Sequence, residues 1–111
     1  AINTLSEDRT VGYINAHGTS TPVGDVGEIE AVRRVFGEGS TPPVSSTKSM
    51  TGHSQGATGA QEAVYCLLAL ENDFLIPSIN VKTLDPALKP EEIATSLVET
   101  NGSMLMSKFN G

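Results

Sequence analysis

A chain of 111 residues carrying a net charge of −6 and one cysteine fits a single small domain with no internal disulfide, burying about two thirds of the surface its unfolded form exposes. Seven Lys and Arg residues against thirteen Asp and Glu form no basic patch, which argues against a nucleic-acid partner. No apolar run approaches the roughly 20 residues that span a bilayer and no secretory leader opens the sequence, so a cytoplasmic protein without membrane contact is expected.

Residues 11–15 (VGYIN) form a short apolar run that reads as a strand leading into a loop at His17. From Asp25 the period changes. Val26, Ile29, Val32 and Phe36 recur at three- and four-residue intervals, which predicts an amphipathic helix stopped by Gly37 and Gly39. A weak strand follows over 44–48. The clearest helix spans about 59–70, where Ala60, Ala63, Val64, Leu67, Leu68 and Leu70 give an apolar surface broad enough to be buried on more than one side. Extended chain is expected at 77–81, then a charged connection over 84–92 containing two prolines. Strands at 93–99 and 104–109 flank Asn101-Gly102, a strong hairpin cue. Alternating strands and helices early in the chain, followed by an antiparallel pair, predict an α/β layer with a mixed sheet packed by helices.

Both histidines lie in polar, glycine-rich turns, Ala16-His17-Gly18-Thr19-Ser20-Thr21 and Thr51-Gly52-His53-Ser54, with Lys48 between them. A strand-end loop can hold an imidazole in open space, where it donates to a carbonyl oxygen that gains negative charge. His53 precedes the long helix, whose first backbone N–H groups suit an anionic group. Turn-stabilising and capping roles fit the same residue types. Lys48 suits a carboxylate or phosphate ligand or a buried acid, and Glu28, at the start of the first helix, is the acid of interest. A solvated lysine and a glutamate favourable to the helix dipole fit equally well. Cys66 lies inside an apolar helical run with no basic neighbour in sequence, so core packing outweighs a nucleophilic role. The separations of His17, His53 and Cys66 match no compact zinc pattern, and no metal is expected.

Taken together, residues 15–25 (NAHGTSTPVGD), Glu28, Ser46-Thr47-Lys48-Ser49-Met50-Thr51-Gly52-His53, Gly56-Ala57-Thr58-Gly59 and Pro77-Ser78-Ile79-Asn80 closely resemble a beta-ketoacyl-acyl carrier protein synthase. The resemblance covers nearly the whole chain. It implies part of a thiolase-like layered fold, from the C-terminal half of a condensing enzyme that is usually a homo-oligomer, so the chain is expected to be a segment truncated at both ends. In the complete enzyme an acyl group on a cysteine of the other half joins a carbanion formed by decarboxylating malonyl-acyl carrier protein, extending a fatty acid. His17 and His53 match the histidines that face the malonyl thioester. Lys48 matches the family lysine, and Glu28 the glutamate expected to interact with it, for site organisation and electrostatic tuning. Thr19 and Thr21 match hydroxyl residues contacting the phosphopantetheine arm of the carrier protein, and no permanently bound cofactor is implied. Asn15 and Glu28 also fall at positions near a structural monovalent cation in some relatives.

Two departures accompany the resemblance. Cys66 does not match the family nucleophile, and Met106-Ser107-Lys108-Phe109-Asn110-Gly111 differs from the usual Ser-Asn-Ser-Phe-Gly-Phe-Gly-Gly pattern. The isolated chain is therefore expected to be inactive without a partner bearing the nucleophile. The alternative is a non-enzymatic carrier-protein-binding or self-association module built on the same fold.

Overall fold

The computed structural model describes residues 11–81, 86–88 and 92–95, together with the backbone of 98–99. Strand β1 (Ile14–Asn15) leads to helix α1 (Gly24–Phe36) and strand β2 (Val44–Ser45). The short helix α2 (Lys48–Thr51), helix α3 (Thr58–Glu71) and strands β3 (Phe74–Leu75) and β4 (Val98–Glu99) follow. β1 and β2 are parallel, with Ile14 opposite Val44 and Asn15 opposite Ser45, so β1, α1 and β2 form a βαβ unit. Ile93 forms a parallel bridge to Val44, while β3 and β4 pair antiparallel with Phe74 opposite Glu99.

The layering follows from the two-residue period of the strands, which sends successive side chains to opposite faces. Ala16 and Val44 join Ile29 in one buried cluster, against which Ile14, Val32, Leu88 and Ile93 pack. Tyr13 goes to the other face and joins Ala69, Leu75 and Ile76, with Tyr65, Cys66, Leu70 and Phe74 packed around them. Helices α1 and α3 therefore lie on opposite faces of the small parallel sheet. Ser45 also faces the α3 side. It donates to the Ile76 carbonyl and its Oγ lies 2.6 Å from the buried Tyr13 hydroxyl. Burial pushes the Tyr13 phenol well above its ordinary pKa, a rise only partly offset by the Ser45 hydrogen bond, so the ring remains a neutral donor.

Three sequence expectations change. The strand expected over 44–48 ends at Ser45, because the Ser49 and Met50 N–H groups turn back onto the Ser46 and Thr47 carbonyls and Lys48 enters a helical turn. Strand β3 was not anticipated. Helix α3 is not buried on more than one side: Ala69 is fully enclosed, whereas Val64, Leu67 and Leu68 are each about half exposed on another face. The 77–81 stretch has no regular structure but is pinned by side chains, Ser46 N–H donating to Ser78 Oγ and Ile79 N–H to Ser49 Oγ. Of the expected strand at 93–99, Ile93 forms a bridge and Val98–Glu99 a strand. The Asn101-Gly102 hairpin and the 104–109 strand lie outside the described residues.

Candidate functional site

The loop after β1 owes its shape to one carboxylate. Glu28, one turn into α1, accepts the His17 N–H on Oε1 at 2.7 Å and the Gly18 N–H on Oε2 at 2.9 Å. Two charge-assisted hydrogen bonds to successive amides orient the peptide carrying the imidazole. Gly18 permits this geometry because its φ is +38° and an added Cβ would sit 2.8 Å from Ser46 Cβ. Gly18→Ala is therefore expected to destabilise the chain by about 2 kcal/mol, through left-handed strain and steric conflict, read as a lowered denaturation midpoint at unchanged slope.

Farther along the loop, Ser20 N–H donates to Asp25 Oδ1 at 3.1 Å and Gly24 N–H to Thr21 Oγ1 at 3.1 Å. The two threonines thus separate. Thr19 lines a cavity of about 610 Å³, whereas Thr21 is exposed and its hydroxyl accepts the Gly24 N–H at the first turn of α1.

That same cavity is lined by Lys48, Glu28 and His53, with Ser78, Ile79 and Asn80 among its other lining residues. His17 meets His53 edge to face, with ring centroids 5.4 Å apart and planes at 89°. Sequence-distant imidazoles converge because β1 and β2 run parallel side by side, so the loops leaving their C-terminal ends emerge together. The His53 turn is closed by Thr58, whose Oγ1 lies 2.8 Å from His53 Nδ1 and accepts the Ser54 N–H at 2.8 Å. Gly52, at φ +71°, ends α2 and begins this turn.

Lys48 does not pair with Glu28, contrary to the sequence expectation. Its Nζ forms a buried ion pair with Glu62 of α3, the two side chains being 5% and 11% exposed. The reason is directional. Glu28 belongs to the helix on one face of the sheet and is occupied by two backbone donors, while Glu62 sits near the start of the helix on the other face. Glu62 is the functional candidate that sequence reasoning missed. Its signal was present, since it is the only Asp, Glu, Lys or Arg within 59–70.

Cys66 is half buried, packs against the Tyr13 cluster and lies 3.7 Å from Asn15 Nδ2. Burial pushes its thiol pKa up, with the Asn15 hydrogen bond opposing, which leaves little thiolate near neutrality. Asn15 is tied to Thr47 through both amide atoms, and Glu28 to the His17 loop. Among the described residues no group of three or more His, Cys, Asp or Glu is arranged to hold a metal ion.

A βαβ-centred layer with two imidazoles and a paired lysine at the carboxyl end of its strands places the chain among partial thiolase-like α/β folds. Residues 2–82 match the family of the beta-ketoacyl synthase C-terminal domain, and the chain belongs to that family. The 3-oxoacyl-[acyl-carrier-protein] synthase 1 of Haemophilus influenzae is 48% identical over 120 residues, covering 94% of this chain and 29% of that protein. Its namesake in Escherichia coli K12 is 50% identical over 104 residues, covering 94% of this chain and 25% of that protein. Among solved structures, the ishigamide ketosynthase/chain length factor superposes with a TM-score of 0.75 at 37% identity, over 82% of this chain and 22% of that one. A type II polyketide ketosynthase in complex with its acyl-carrier protein, AntDE:AntF, gives 0.74 at 39% identity over 82% of this chain and 22% of that one. The chain thus spans between a quarter and three tenths of the length of the two curated relatives.

Proposed function

We propose that this chain supplies the malonyl-processing side of a 3-oxoacyl-acyl carrier protein synthase acting in fatty acid elongation. The observation that carries the reading is the pair of imidazoles, 5.4 Å apart, with His53 lining the cavity. When the bond between the malonyl carboxylate carbon and the α-carbon breaks, carbon dioxide leaves and the electron pair passes into the thioester enolate. His17 and His53 donate hydrogen bonds to that oxygen as it becomes negative, lowering the barrier most where charge is greatest. The enolate carbon then attacks an acyl thioester on a cysteine supplied outside this chain, and the cysteine leaves as thiolate.

Lys48, held by Glu62, turns an oriented ion pair toward the site, and Glu28 sets the His17 peptide. Thr19 contacts the phosphopantetheine arm of an acyl carrier protein in this reading, which its position in the cavity lining supports, while Thr21 contributes through the loop it caps. The working protein is a cytoplasmic homo-oligomer. No helix among the described residues is long and apolar enough to cross a membrane. A second reading, a self-association or carrier-binding module without chemistry of its own, draws on the exposed Val64, Leu67 and Leu68.

Grafting this chain in place of the matched quarter of the Escherichia coli relative separates the two. Production of 3-oxoacyl-carrier protein from malonyl-carrier protein by the graft is the expected result. A folded graft that binds phosphopantetheinylated carrier protein yet neither decarboxylates nor condenses overturns the enzymatic reading in favour of the module.

A further inference from the structure

The hydroxyl of Thr58 has a definite hydrogen-bond account. Thr58 is 7% exposed as a residue, its hydroxyl sits in a part-buried turn, and its oxygen already accepts the Ser54 N–H. A hydroxyl carries one proton and two lone pairs. Its remaining neighbour among the described residues is His53 Nδ1 at 2.8 Å. Were that nitrogen protonated, it would occupy the second lone pair, and the hydroxyl proton would be left with no acceptor among the described residues. With an unprotonated Nδ1, all three groups are satisfied: Ser54 N–H donates to Oγ1, and the Thr58 hydroxyl donates to the ring.

From this geometry we infer that Thr58 is a positioning residue which holds His53 as the Nε2–H tautomer, leaving Nε2 as the ring's donor toward the cavity. The neutral imidazole has one donor and one acceptor, and the bond to one nitrogen decides which is which. The same hydroxyl fixes the ring's rotation, because it is anchored on the first residue of α3 and clamped to the adjacent Ser54 amide. His17 is held differently, through its own backbone N–H on Glu28, and among the described residues no hydroxyl lies on its ring. The two imidazoles thus reach one site by different supports. The value of an Nε2–H at this place rests on the proposed oxyanion role, whereas the tautomer itself does not.

The test is the long-range proton–nitrogen correlation spectrum of the 111-residue chain labelled with 15N in histidine, recorded roughly two pH units above the ordinary imidazole pKa. His17→Gln assigns the remaining ring to His53. Wild type and Thr58→Ser are expected to show an unprotonated Nδ1 and a protonated Nε2. Thr58→Val and its companion Thr58→Ala are expected to raise the Nδ1–H population several-fold. A protonated Nδ1 in wild type, or Val and Ala variants indistinguishable from it, overturns the inference. No substrate enters the measurement, so an inactive graft with the expected tautomer removes the proposed function and leaves Thr58's role standing.

Discussion

Replacing His17 or His53 by Ala in the grafted enzyme is expected to lower malonyl-carrier decarboxylation by about 10²–10³-fold each, the usual cost of removing one donor to a developing oxyanion. The loss falls on kcat rather than KM, because the hydrogen bonds strengthen only as the thioester oxygen takes up charge. The double variant is expected to lose less than the product of the two single losses, since both rings serve one oxygen and sit in edge-to-face contact. Decarboxylation at the wild-type rate in both single variants would falsify the assigned roles. Asn and Gln variants sharpen the comparison: an amide N–H in place of the imidazole restores a donor without restoring a titratable ring.

The second large effect concerns stability. Glu62→Ala leaves the Lys48 ammonium enclosed without its counter-charge and is expected to cost about 3–5 kcal/mol in chemical denaturation. Glu28→Ala removes two charge-assisted bonds from a half-exposed loop, with a smaller expected cost of about 2 kcal/mol. The order matters more than either value, because it follows from Lys48 pairing with Glu62. If Glu28→Ala proves the more damaging and Glu62→Ala is nearly neutral, the pairing is wrong. A Lys48→Met, Glu62→Leu double variant is expected to recover most of the stability, since an apolar pair of similar volume avoids the desolvation that the ion pair carries. Its decarboxylation rate is expected to stay low, which separates Lys48's electrostatic contribution from its packing.

The exposed apolar part of α3 gives the family relationship a physical side. Val64, Leu67 and Leu68 are half exposed although α3 packs its opposite side on the Tyr13 cluster. The matched relatives are between three and four times longer than this chain, with 29% and 25% of their lengths covered, so they possess further structure against which such a face can pack.

Much of the architecture was legible from local pattern. Spacing at three and four residues marked α1 through Ile29 and Val32, and the run from Ala60 to Leu70 marked α3 to within a residue or two at each end. The two glycine-flanked histidine turns were visible as motifs, and their wording, together with Lys48, carried the family resemblance. Short elements were harder. Ser45, Ser46 and Thr47 have side chains that compete for backbone hydrogen bonds, so the point where β2 gives way to α2 has no hydrophobic signature. Strand β3 is two residues long, too short for a period to register.

What local pattern could not supply was the choice among partners far apart in the chain. Glu28 and Glu62 were both acids on amphipathic helices, and only the docking of those helices on opposite faces of the parallel sheet assigned one to a loop backbone and the other to Lys48. Likewise Thr58 looked like one more small residue of a turn until its hydroxyl met His53 Nδ1 and the Ser54 amide together. Residue types and their periods follow from the chain because they are set by neighbours three or four positions away. Ion pairs and hydrogen bonds across layers depend on which faces meet, and that is decided only when the core closes.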